Sequence, residues 1–95
     1  MVKNRKSIVV TVIGKDEVGI VAKIATALAE NSINIIDINQ KILGEEIFAM
    51  TLLADRINSS LSLPEISARL KDSVKGLSLN VTVQDAEVFQ YMHRV

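Results

Sequence analysis

Ninety-five residues, 48% of them apolar, suffice for one domain with one core. Eleven basic and eleven acidic side chains cancel, so no net field recruits nucleic acid or an acidic membrane surface. The absence of cysteine excludes disulfides, thiolate metal sites and thiol nucleophiles, and fits a cytoplasmic protein.

The opening Met1-Val2-Lys3-Asn4-Arg5-Lys6 is basic, but the apolar run behind it is too short and too polar for a signal peptide. No run approaches the ~20 apolar residues that span a bilayer, so no membrane association is expected. Ser7 to Ile13 is rich in β-branched residues and reads as a buried first strand. Gly14-Lys15-Asp16-Glu17-Val18-Gly19 should break it. From Ile20 the period changes: Ile20, Ile24 and Leu28 recur four apart, with Ala25 and Ala27 beside them, which predicts an amphipathic helix ending near Asn31-Ser32.

Ile33 to Leu43 turns β-like, with an apolar phase that slips between Ile35 and Ile36, the mark of a bulge. Gly44-Glu45-Glu46 is a polar turn, and Ile47 to Ala54 completes a hairpin. Ser62-Leu63-Pro64-Glu65 matches a capping box for a second helix, whose stripe is Leu63, Ile66, Leu70 and Val74 and whose stop is Gly76. Leu77, Leu79, Val81 and Val83 alternate with Ser78, Asn80, Thr82 and Gln84, as a half-buried strand does. Asp85 can cap a short C-terminal helix over about 86–94, carrying Val88, Phe89 and Met92.

The order is β-α-β-β-α-β plus a terminal helix, in one domain over 1–95 with its core at about 7–85. Two right-handed crossovers with both helices on one sheet face lead to an α+β fold, the ferredoxin-like βαββαβ sandwich. Its antiparallel four-stranded sheet should have strands one and three central and strand two at an edge.

Several uses of this fold fail on residues. Base stacking needs aromatics on the central strands, and the aromatic share is 3%. Metal carriage of the thiolate type needs cysteines. Phosphate-gripping catalysis needs an arginine near the first loop, where Lys15 is the only cation and lacks the bidentate fork. His93, the lone histidine, lies three residues from the C-terminus and reads as a solvated end. Asp37, Glu45, Glu46 and Asp55 are scattered around one hairpin and read as charges that deter strand aggregation. No catalytic residue, cofactor or metal site is expected, and the protein is read as a non-enzyme.

What remains is the loop VIGKDEVG, Val12 to Gly19, at a helix N-terminus. The unpaired N–H groups of Val18, Gly19 and Ile20 favour an anion there. Gly19 admits close approach, and Asp16 can accept from an ammonium group, a combination that suits an amino acid. The same residues also suit a plain turn with Asp16 as helix cap. Asn34, among isoleucines, is either a turn residue or an amide needing a partner at an interface.

The stretch VIGKDEVGIVAKIATALAENSINIIDINQKI resembles the first half of an ACT domain: a strand, a Gly/Asp loop, a Val-Gly-Ile helix start and an Asn-Ile second strand. Its GKD-VGIVA form is similar to single-ACT bacterial proteins related to the glycine-cleavage-system repressor. The resemblance implies a homodimer in which Asp16, Val18, Gly19 and Ile20 of one copy bind an amino acid or small anionic metabolite against Asn34 and Ile35 of the other. Asp16 stands where some amino-acid-binding members have an amide. With no catalytic domain in this sequence, the output passes to a regulated protein. The alternative is a ligand-free interaction module docking on an enzyme or transcription factor. Strand two, with Ile33, Ile35, Ile36, Ile38 and Ile42, calls for self-association in either case.

Overall fold

The computed structural model describes residues 7–88. Strand β1 (Ser7–Lys15) leads into helix α1 (Ile20–Glu30), then into the hairpin of β2 (Asn34–Leu43) and β3 (Ile47–Asp55). Helix α2 (Leu63–Ser73) and strand β4 (Leu79–Asp85) follow. A further helical turn begins at Ala86; the rest of the expected terminal helix, with Phe89, Met92 and His93, lies outside the described residues.

The sheet order is β2-β3-β1-β4, and every pairing is antiparallel. Strands β1 and β3 are central and β2 is an edge, as the crossover rules require. The alternation explains the layering. Ile8, Val10 and Val12 of β1 are fully buried, and Phe48, Met50, Leu52 and Ala54 of β3 lie beside them under the helices. Ile20, Ile24, Ala27 and Leu28 of α1, with Ile66 and Leu70 of α2, close the core. The other sheet face is less covered: Ile13, Leu43 and Ile47 are 42%, 47% and 44% exposed.

Two details differ from or refine the sequence reading. Strand β1 continues through Gly14 and Lys15 instead of breaking at Gly14. A Cβ on Gly14 would collide with the Ser78 carbonyl oxygen and lie 2.9 Å from Leu79 Cα, so this glycine serves close strand approach, not a turn. The phase slip in β2 is a bulge: Ile35 faces Ala54 and Asp37 faces Leu53, leaving Ile36 extra.

The capping box forms as read. Glu65 N–H donates to Ser62 Oγ at 3.3 Å, and Ser62 N–H donates to Glu65 Oε1 at 2.8 Å. At the other end of the helix layer, Asn31 Nδ2 donates to the Ala27 carbonyl at 2.7 Å, and Arg69 Nη1 donates to Asn31 Oδ1 at 2.8 Å. These bonds tie α2 to the C-terminus of α1.

Candidate ligand site at the first loop

Two backbone bonds fix the loop after β1. Lys15 N–H donates to the Ser78 carbonyl at 3.0 Å, and Asp16 N–H donates to the Glu46 carbonyl at 2.7 Å. The loop is thereby held to β4 on one side and to the β2–β3 turn on the other. Asp16 presents an exposed carboxylate, and Val18 stands 97% exposed at the tip.

Gly19, at φ +89°, is the N-cap of α1. That is left-handed backbone, where glycine carries no Cβ penalty. The first helical bond runs from Lys23 N–H to the Gly19 carbonyl at 2.9 Å. No side chain caps this helix, and its first turn holds no acidic residue. The capping role considered for Asp16 is therefore not taken up. Its N–H bond to Glu46 keeps it with the strand, three residues ahead of the cap. The helix start keeps its partial positive charge with no side chain hydrogen-bonded to its cap.

Ile20 enters this arrangement only through its backbone, because its side chain is 2% exposed and belongs to the core. Asp16, Val18, Gly19 and Ile20 are thus contiguous. Asn34 and Ile35 are elsewhere. Asn34 pairs with Asp55, which pairs with Ser7, whereas Lys15 pairs with Ile47, which pairs with Leu43. Ser7 and Lys15 are the two ends of β1, eight steps apart (15 − 7), so the two halves are separated by ~26 Å within one chain. Asn34 is exposed and Ile35 is half-buried against the core.

A shallow depression of about 500 Å³ lies on the open face of the β2–β3 hairpin, lined by Asp37, Asn39 and Lys41 with Ala49, Thr51 and Leu53. Sequence reasoning passed over it. The alternation Asp37, Asn39, Lys41 was the available signal, masked by the slip at Ile36. Among the described residues no group of three or more His, Cys, Asp or Glu side chains is placed to hold a metal ion. No described helix is long and apolar enough to cross a membrane.

A family model for the ACT domain matches residues 6–84. The chain belongs to the ACT domain family. A UPF0237 protein of Methanocaldococcus jannaschii is 42% identical over 88 residues, which cover 93% of this chain and 97% of that protein. An ACT domain protein from Streptococcus pneumoniae superposes with a TM-score of 0.76 at 29% identity, over 92% of this chain and 97% of the other. A candidate glycine cleavage system transcriptional repressor superposes with a TM-score of 0.71 over 88% of this ACT domain and 48% of its own chain. At 14% identity that likeness is one of fold. The family agrees with the resemblance carried by the first half of the sequence.

Proposed function

We propose that this ACT domain is a regulatory, non-catalytic protein that senses an amino acid or related small anion between two copies of itself. The observation that carries the reading is the uncapped start of α1 beside the exposed Asp16 carboxylate. The helix N-terminus accepts the ligand carboxylate, while Asp16 accepts hydrogen bonds from its ammonium group. Val18 and Gly19 supply apolar cover and close approach, and Ile20 supplies its backbone. Asn34 and Ile35 come from the second copy, since their own copy holds them at the far end of the sheet. The signal passes to a separate protein. The likeness to a repressor supports a regulatory output, although that neighbour's own role stays its own.

The reading is tested by differential scanning fluorimetry against the twenty amino acids and common metabolite anions. A ligand at one hundred times its dissociation constant adds ~2.7 kcal/mol, a readily visible rise in melting temperature for a small domain. One selective hit is expected, weakened at least tenfold by Asp16→Ala and by Asn34→Ala. A flat screen, or a hit indifferent to both substitutions, overturns it.

A second reading has its own support in Val18, which stands 97% exposed at the tip of the first loop. Protruding aliphatic side chains suit docking on an enzyme or transcription factor without a ligand. Stable capture of one partner, unchanged by metabolites and lost with Val18→Asp, would favour it.

A further inference from the structure

On the sheet face turned away from the helices, exposure falls steadily toward one end of β1. Ile13 is 42% exposed, Thr11 is half-buried and Val9 is down to 6%. The neighbouring strands repeat the trend. Asn80 and Thr82 of β4 are exposed and Gln84 is half-buried, while Thr51 of β3 is exposed and Leu53 half-buried. Gln84 and Leu53 are the register partners of Val9, so the three form one row across β4, β1 and β3.

Val9 is nevertheless no part of the core. It faces away from α1 and α2, between Ile8 and Val10, which point toward them. A valine on an open sheet face loses nearly all its contact with water only under a further layer. Among the described residues, the loops at this end of the sheet turn the other way. The loop after β3 runs to the helix side, where Leu61 packs against the core, and leaves Ile57 60% exposed. The link from α1 to β2 does the same through Ile33, which is buried in the core.

Two stretches of chain remain at this end, one before Ser7 and one after Val88. Lys3, Arg5 and Lys6 make the first strongly charged, which ill suits the covering of a valine. The second leaves β4 at Asp85, whose register partner is Ile8, and carries Phe89, Tyr91, Met92 and Val95. Its length also fits. Ala86 to Val95 is ten residues (95 − 85), enough for ~15 Å of helix. Crossing from β4 over β1 to β3 takes two strand spacings, ~10 Å. A helix is ~10 Å across, so one laid over the row of Val9 shades Thr11, ~7 Å along the strand, and misses Ile13 at ~13 Å.

We infer that the chain beyond Val88 docks as a helix across β4, β1 and β3, over Gln84, Val9 and Leu53, and forms a third layer at that end of the open sheet face. The other end, with Ile13, Ile47 and Leu43, keeps its exposure. The last residues of the chain thereby belong to the fold, and only the loop end of this face is left to meet a partner.

NMR on the unmodified chain tests the docking directly. Cross-relaxation is expected between the Val9 methyls and side-chain protons of residues 89–95, and none between those residues and the Ile13 methyls. Contacts from Val9 to residues 1–6 in their place overturn it. So do contacts that appear only between differently labelled copies, which would make the cover a second molecule. The absence of cysteine permits a second test on the full chain. A thiol from Val9→Cys is expected to react about tenfold more slowly than one from Ile13→Cys, and Phe89→Asp with Met92→Asp to abolish the difference. Ile24→Cys, in the core, stays unreactive in the same background and shows that the rest of the domain holds. A Val9→Cys thiol still protected after both substitutions overturns the docking.

Discussion

The carbonyl oxygen of Ser78 occupies the space in which a side chain on Gly14 would sit, and the same oxygen accepts the N–H of Lys15 at 3.0 Å. One atom thus fixes both the approach of β4 and the point where the first loop departs. Gly14→Ala must push backbone against backbone, and its cost is expected at or beyond the ~3 kcal/mol upper end for forced overpacking. Gly44, at φ +63° with nothing within 4 Å, offers the comparison. Gly44→Ala should cost only the ~1–2 kcal/mol of left-handed backbone. Urea midpoints measure both, and equal losses would contradict the close approach.

Ile24 is fully buried on α1, and Val18, six residues ahead of it in the first loop, stands 97% exposed. Ile24→Ala is expected to lose ~2–5 kcal/mol. Val18→Ala should stay within ~0.5 kcal/mol, as substitutions at open surface usually do. A large loss at Val18 would make it a packing residue and end its candidacy as a contact for ligand or partner.

The capping box gives a pH signature. The Ser62 backbone N–H, and after it the Ser62 hydroxyl and the Arg69 charge, hold the Glu65 carboxyl below the ordinary glutamate value, against a small opposing effect of desolvation. The ionised form is therefore favoured by folding. Its contribution is present above the unfolded value, ~4.3, and is lost as pH falls through the lower folded value. The melting-temperature gap between the parent and Glu65→Ala should be steady near neutrality and narrow below pH ~4. A gap as wide at pH 3 as at pH 7 would mean that the charge plays no part.

Asn31 serves two masters, accepting from Arg69 and donating to the Ala27 carbonyl. Asn31→Ala should therefore cost more than Arg69→Ala, which removes one bond at an exposed site, worth at most about 1 kcal/mol. A double-mutant cycle isolates the shared contact. Additive losses would show that the two helices are held by apolar packing alone.

Local signals carried most of the fold in the sequence. The β-branched run of β1, the heptad-like stripe of α1, the Ser62–Glu65 box and the alternation of β4 each involve residues within a few positions of one another. Even the bulge was legible, because Ile35 and Ile36 break a two-residue period on the spot. What escaped depended on distant neighbours. Gly14 looks like a turn residue until Ser78 is known to lie beside it, and Asp16 looks like a cap until the helix is seen to start from Gly19 with no side-chain cap. The candidate site was half legible for the same reason. The loop residues are contiguous in sequence, whereas Asn34 and Ile35 need a sheet register, and then a second copy, before they bear on it.

The bond from Asp16 N–H to Glu46 makes the loop and the hairpin turn one mechanical body. With a ligand held between two copies, self-association and occupancy at the loop are two readings of one equilibrium. Linkage then requires reciprocity: whatever factor an amino acid adds to self-association, self-association adds to amino-acid affinity. Such a sensor would respond to its own concentration as well as to the metabolite, falling silent when the chain is scarce.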